Sequence, residues 1–179
     1  MRVMVLHNRY RNAGGEDAVV REEAELLRDR GNEVVLLEVE QDSATRNPVA
    51  RAWDIATSVV WSRNSFDLVR QLCARVRPEV VHVHNFWMQY SPSVHAACHS
   101  AGVPTVQTLH NFRLLCANAI FLRDGKICED CLGGVAWRGI AHRCYRDSYI
   151  ASSAVVAMSA FNRWKGTWHN DVDAFCQCI

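Results

Sequence analysis

The chain alternates short apolar runs with longer segments in which apolar residues recur at helical spacing. Runs of strand length that are rich in Val and Leu lie at residues 2–7, 33–39, 79–84 and 105–109, and a last short run lies at 172–179. Nearly continuous apolar runs of this length are typical of strands that are buried on both faces. The pattern therefore predicts a mostly parallel sheet.

Helical patterns separate these predicted strands. The first one is amphipathic and is followed by Gly31, at a position where a C-terminal cap is expected. Further helices are predicted over residues 49–60, 66–76, 91–101 and 147–164. Strands that alternate with helices in this way form right-handed βαβ units. We therefore expect one α/β domain, with a Rossmann-like, mostly parallel sheet and helices on both faces.

Composition excludes some classes of protein. The chain has 179 residues, of which 49% are hydrophobic, and its formal net charge is +1, so no nucleic-acid surface is expected. The N-terminal apolar run is too short for a secretory signal peptide. The longest mostly apolar run, residues 149–161, is shorter than the ~20 residues of a spanning helix and is better explained as a core helix, although peripheral membrane contact stays open.

A double glycine, Gly14-Gly15, precedes the first predicted helix and is followed by Glu16. Glycine lets a ligand approach the backbone closely, and the first amides of a helix attract anions. The alternative is a plain strand-to-helix turn that requires positive φ, and the two interpretations are about equally supported. Residues 12–17 read NAGGED rather than G-x-G-x-x-G, which argues against a dinucleotide oxidoreductase.

Two histidines end predicted strands, and ligands of open α/β sheets bind beyond the carboxyl ends of the strands. His110 follows the run 105–109 and is itself followed by Asn111 and Arg113, whereas His84 ends the third strand. Both histidines are candidates for substrate contact. His82 shares a face with His84 but is assigned to the core, because a metal at this H-x-H pair needs a third ligand and the sequence names none.

The segment 117–146 is irregular, and Asp124-Gly125 within it predicts a hairpin over 121–127. Eight cysteines are many for a chain without a secretion signal. Four of them, Cys116, Cys128, Cys131 and Cys144, are spaced C-x11-C-x2-C-x12-C, which fits a structural zinc ion, with His142 as a substitute ligand. Reduced buried thiols, disulfides and an iron–sulfur cluster remain alternatives, and the two cysteines at 73 and 98 are predicted to be core residues.

Together these motifs resemble the N-terminal domain of family 4 glycosyltransferases, the retaining GT-B enzymes. The resemblance covers essentially the whole chain, 1–179, and includes a Cys-rich insertion at about 113–146. It rests on the segments NAGGE, HVHNFW, GVPTVQTLHNFRLLC, CEDCLGG, HRCYRDS and VDAF. It implies a hexosyltransferase-like enzyme that uses a nucleotide-sugar donor as co-substrate, a sugar or glycolipid acceptor and no catalytic metal.

The resemblance also implies roles for single residues. His110 would be the catalytic residue that contacts the transferred sugar, and Arg113 would be an anion partner. The other substrate-binding residues would be Gly14, Gly15, Glu16, His84 and Asn111. The family's C-terminal donor-binding domain is expected to be absent from residues 1–179, so the chain would be a truncated product or a domain that needs a partner chain. This chain alone is therefore expected to be inactive. It is expected in the cytoplasm or at the inner face of a membrane. The alternatives are a non-catalytic partner module of the same fold and an unrelated nucleotide-binding protein.

Overall fold

A computed structural model of the chain describes residues 1–9, 14–40, 58–87 and 89–177. The strands are β1 (Arg2–Arg9), β2 (Glu33–Glu40), β3 (Val80–Asn85), β4 (Thr105–Leu109), β5 (Leu122–Arg123), β6 (Lys126–Ile127) and β7 (Ala174–Gln177). The helices are α1 (Gly15–Asp29), α2 (Arg63–Val76), α3 (Ser93–Ser100), α4 (Trp137–Ala141), α5 (Tyr149–Lys165) and α6 (Thr167–Asn170). Residues 58–60 are also helical, but the rest of the helix predicted over 49–60 lies outside the described residues.

The main sheet is parallel throughout and has the strand order β2-β1-β3-β4-β7. If only the five strands of this sheet are numbered in chain order, β7 is the fifth strand and the order becomes 2-1-3-4-5, as in a doubly wound α/β fold. The chain leaves β1 toward one edge and returns through β3 toward the other, so the carboxyl ends of these two strands flank the topological switch point. Ligands of such sheets bind in the crevice at that point.

Alternate residues of β1 serve opposite faces of the sheet. Val3 and Val5 pack with Val20 of α1 on one face. Met4 and Leu6 belong to the larger core on the other face, which receives residues from α2, α3 and α5. Helices therefore cover both faces, and the predicted α/β class is confirmed.

Most predicted elements occur, with boundaries that differ by a few residues. Helix α2 begins at Arg63, three residues before the predicted start, because the hydroxyl of Ser62 accepts a hydrogen bond from the Ser65 amide and caps the helix. The predicted hairpin forms as β5 and β6, with positive φ at Asp124 and Gly125. Cys73 and Cys98 are buried core residues, as expected.

Gly139, a buried residue of α4, packs against Ala117 at the start of the irregular segment and against Val156 of α5. A Cβ placed on Gly139 would lie 2.8 Å from the Cβ of Ala117, so only glycine fits this contact. Among the described residues, no helix has both the length and the apolar character needed to cross a bilayer.

Candidate functional site

A crevice lies at the carboxyl ends of β3 and β4, beside the start of α1 and next to the switch point of the sheet. It encloses about 40 Å³. It is lined by Glu16, His84, Asn85, Phe86, Trp87, Gln107, Thr108, Leu109, His110, Asn111, Arg113 and Leu114. Five of the residues predicted from the sequence thus line one crevice: Glu16, His84, His110, Asn111 and Arg113.

The carboxylate of Glu16 joins the start of α1 to the ends of both strands. The side-chain amide of Asn85 donates to one of its oxygens at 3.0 Å, and that of Asn111 donates to the other at 3.2 Å. Asn85 also accepts a hydrogen bond from the Trp87 amide at 2.8 Å, which holds the loop after β3. The crevice therefore presents a carboxylate and two amides, groups that match the hydroxyls of a sugar.

His84 and His110 meet directly inside this crevice. Their Nδ1 and Nε2 atoms are 3.1 Å apart, and the rings stack with centroids 5.3 Å apart. Burial, and next the charge of His82, lower the pKa of His84 to about 3. Burial also lowers the pKa of His110, which the charge of Glu16 only partly opposes. Both rings are therefore neutral near pH 7, each with one donor and one acceptor nitrogen.

His82 has a polar partner at each of its two ring nitrogens, although the sequence assigned it to the core. It is buried, but its Nδ1 lies 2.7 Å from Glu23 of α1 and its Nε2 lies 2.7 Å from the Thr108 hydroxyl. Burial would raise the pKa of Glu23, but the hydrogen bond and charge of His82 outweigh it, so that pKa is lowered. Sequence reasoning did not find Glu23, the third partner that the H-x-H pair required.

A second buried pair that the sequence did not reveal lies below the start of α1. His7 of β1 and Asp17 are 0% and 1% exposed, and their Nε2 and Oδ1 atoms are 2.9 Å apart. The other oxygen of Asp17 accepts the Gly14 amide at 2.7 Å. Burial would raise the pKa of Asp17, but the hydrogen bonds from Gly14 and His7 outweigh it and the pKa is lowered.

Gly14 and Gly15 lie beside the crevice rather than in its lining. Gly14 is extended at φ −121°, and Gly15 is the first residue of α1 and has no positive φ. The alternative of a turn that requires positive φ is therefore wrong. A Cβ on either residue would meet nothing within 4 Å, so the backbone here is open to an approaching group, although the Gly14 amide is already engaged by Asp17.

Arg113 lines the crevice with its guanidinium held by neighbours. It donates to the Ala117 carbonyl at 2.7 Å and lies over the rings of Tyr145 and Trp87, 4.6 and 5.5 Å from their centroids. The Trp87 indole in turn donates to the Tyr145 hydroxyl at 3.0 Å. This stack connects the loop after β4 to the irregular segment.

Cys116, Cys128, Cys131 and Cys144 are free thiols, and the charges of the other three act on Cys144. Burial, and next the charges of Cys131 and Cys116, raise the pKa of Cys144. Among the described residues, no three of these sulfurs lie within 4.8 Å of one another, and His142 is exposed. The close approach of the sulfurs and the zinc site thus remain predictions.

Comparison with known proteins gives the family. No curated protein matches the chain. The co-structure of S. aureus MnaA with UDP is similar in part, with a TM-score of 0.42 and 14% identity over 63% of this chain. The chain spans 30% of the length of that protein. A family model described as Glycosyl transferase 4-like domain matches residues 14–163, which include α1, the crevice and the irregular segment, and the chain therefore belongs to this glycosyl transferase 4-like family.

Proposed function

We propose that this chain forms the acceptor side of a retaining, nucleotide-sugar-dependent glycosyltransferase, in which His110 contacts the transferred sugar. The observation that carries the proposal is the crevice beside the switch point, where His110, Glu16 and Asn111 converge. Membership of the glycosyl transferase 4-like family supports the same assignment. The acceptor is a sugar or glycolipid, and no catalytic metal is required for this role.

The polar groups of the crevice match a hydroxylated ligand. His110 is half-buried and neutral, so one ring nitrogen can donate to, or accept from, a sugar hydroxyl near the anomeric carbon. Its other partner, His84, fixes the ring orientation through the 3.1 Å contact. The Glu16 carboxylate accepts hydrogen bonds and is already aligned by two amides, so a substrate hydroxyl would meet a preorganised acceptor.

The small size of the crevice supports a second wall, that is, another domain or chain that completes the binding site on this edge of the sheet. It encloses about 40 Å³, whereas ligand pockets measure about 300–1,000 Å³. We therefore assign the donor nucleotide to a C-terminal domain or partner chain that closes over this edge of the sheet. The open backbone at Gly15 would face the donor diphosphate or the acceptor, and Arg113 would add positive charge nearby.

The test combines this chain with a separately produced donor-binding domain and a panel of nucleotide sugars and acceptors. Holding both substrates together contributes ~7–11 kcal/mol to lowering a barrier, so turnover is expected only in the mixture. His110→Ala should abolish it, whereas His99→Ala, at an exposed position on α3, should not. Turnover by the isolated chain that His110→Ala removes would confirm the site but disprove the need for a second wall.

A non-catalytic module with the same crevice is the second candidate, and the small enclosed volume is the observation that favours it. In that case the chain would bind acceptor weakly, and no donor domain would restore turnover. For the cysteines we propose a structural zinc ion, since thiolate is a good zinc ligand and four cysteines occur within a segment whose helix and strands are short. Zinc analysis of the purified chain and of Cys128→Ser tests this independently.

A further inference from the structure

Two histidines of β3 and one carboxylate of α1 form a compact group behind the crevice. Glu23 places its Oε1 atom 2.7 Å from His82 Nδ1 and its Oε2 atom 3.6 Å from His84 Nε2. One ligand atom from each residue lies within 4.8 Å of the others. Two imidazoles and one carboxylate are a ligand set found at zinc and other transition-metal sites.

One atom of this group has no hydrogen bond. His84 Nε2 is fully buried, and among the described residues it has no hydrogen-bond partner. A buried polar atom without a partner is costly, so an unpaired imidazole nitrogen aimed at a carboxylate requires an explanation. A cation between them would satisfy both groups.

The remaining ring nitrogens have the partners that metal-binding histidines require. His82 Nε2 lies 2.7 Å from the Thr108 hydroxyl, and His84 Nδ1 lies 3.1 Å from His110 Nε2. In metal sites, such second partners fix the tautomer and the ring orientation of the ligand. Each histidine thus presents one nitrogen toward Glu23 and is anchored through the other.

We propose that Glu23, His82 and His84 bind a divalent transition-metal ion, with zinc as the best match to two imidazoles and a carboxylate. The two histidine side chains are 10% and 0% exposed, whereas the Glu23 side chain is 31% exposed. The ion would therefore be held from the protein side and would keep one position open toward solvent for a water ligand.

The bound ion would also position His110. Binding through His82 Nδ1 and His84 Nε2 places the protons on His82 Nε2 and His84 Nδ1. His84 then donates to His110 Nε2, so the proton of a neutral His110 is on its Nδ1. Metal binding does not depend on the proposed glycosyltransferase function; only the use of this His110 tautomer rests on it.

The binding test uses the complete chain, freed of metal by a chelator and titrated with zinc alone by calorimetry. Glu23→Gln keeps the size of the side chain but removes its charge, and it should weaken this binding event by about 100-fold or more, since even an outer partner of a ligand accounts for about 10–100-fold. Glu25→Gln, at an exposed position of the same helix, is the matched control and should bind like the unmodified chain.

A second readout separates this site from the cysteines. Histidine nitrogen NMR should show that zinc shifts His82 Nδ1 and His84 Nε2 in the unmodified chain and not in Glu23→Gln. With cobalt(II), Glu23→Gln should remove the ligand-field bands of this site and leave any thiolate charge-transfer absorption from the cysteines unchanged. Together these results would establish the site. Absence of zinc binding, or binding that leaves both nitrogens unshifted and is unchanged in Glu23→Gln, would overturn it.

Discussion

Asp17 is the side chain on which the start of α1 depends. It accepts hydrogen bonds from His7 and from the Gly14 amide while almost completely buried. We expect Asp17→Asn to lower the free energy of unfolding by roughly 1–3 kcal/mol, because an amide cannot replace both oxygen acceptors. Urea unfolding checks this, with Asp29→Asn, exposed at the end of the same helix, as the control.

The effect of Asp17→Asn also has a definite pH dependence. The pKa of Asp17 is lowered in the folded chain from an ordinary value of 3.8. Its stabilising contribution is therefore complete above pH 3.8 and is lost as the pH falls through the folded-state pKa. The difference in stability between Asp17→Asn and the unmodified chain should shrink in that acidic range, and a constant difference would contradict this account.

His95 is expected to make the fold sensitive to mild acid. It is completely buried against the rings of Phe86 and Trp168, which do not titrate, and burial lowers its pKa from 6.5 to about 4, with Gln107 opposing this only in part. The unfolded chain therefore binds a proton that the folded chain does not between about pH 6.5 and 4. Stability should fall by roughly 3 kcal/mol as the pH is lowered through this range.

Replacing the titrating ring tests the contribution of His95. His95→Gln should flatten the pH dependence of the urea midpoint between pH 6.5 and 4, even if the variant is less stable at pH 7. His99→Gln, one turn further along α3 and exposed, should leave the slope unchanged. An unchanged slope in His95→Gln would assign the acid sensitivity to other groups, such as His84.

The two histidines that the sequence identified share one property. His84 and His110 could be found because each ends an apolar run, and strand ends meet at one edge of a parallel sheet. Asp17 and Glu23 could not be found, because α1 carries several acidic residues that look alike in sequence. Only the packing of α1 on β1 and β3 decides which carboxylates turn inward.

At the scale of elements, the contact of α4 with the domain depends on the absence of a side chain at Gly139. We expect Gly139→Ala to destabilise the chain by about 1–3 kcal/mol, because its Cβ would lie 2.8 Å from the rigid Cβ of Ala117. Gly134→Ala is the control, since its Cβ would meet nothing within 4 Å. Thermal unfolding of the two variants measures the difference, and equal midpoints would contradict the packing argument.

The elements of the sheet could be predicted well, and those of the irregular segment only in part. Buried parallel strands are long apolar runs, and Asp124-Gly125 is a strong turn signal, so β1 to β6 follow from local pattern. Helix α4 is five residues long and depends on a contact with Ala117 rather than on its own periodicity. Its sequence therefore gave no helical signal.

At the scale of the whole molecule, the open crevice predicts weak binding of the donor. A ligand that is present at 100 times its Kd raises the free energy of unfolding by about 2.7 kcal/mol, so tight binding of the donor would be visible as a higher unfolding midpoint. A panel of nucleotide sugars at millimolar concentration should give little or no rise in the unfolding midpoint of the isolated chain, since a crevice of about 40 Å³ encloses little of such a ligand. A clear rise that is lost in Gly15→Ala would place the complete donor site on this chain.

The position of β7 has a consequence for how the chain folds while it is being synthesised. Strands β1 to β4 are adjacent in the sheet and are complete by residue 109, whereas β7 pairs with β4 only at residues 174–177. During vectorial synthesis, the four-stranded sheet can form first, with the outer edge of β4 exposed until the last strand emerges. The order of translation thus leaves a temporary open edge on the strand that precedes His110, until β7 pairs with it.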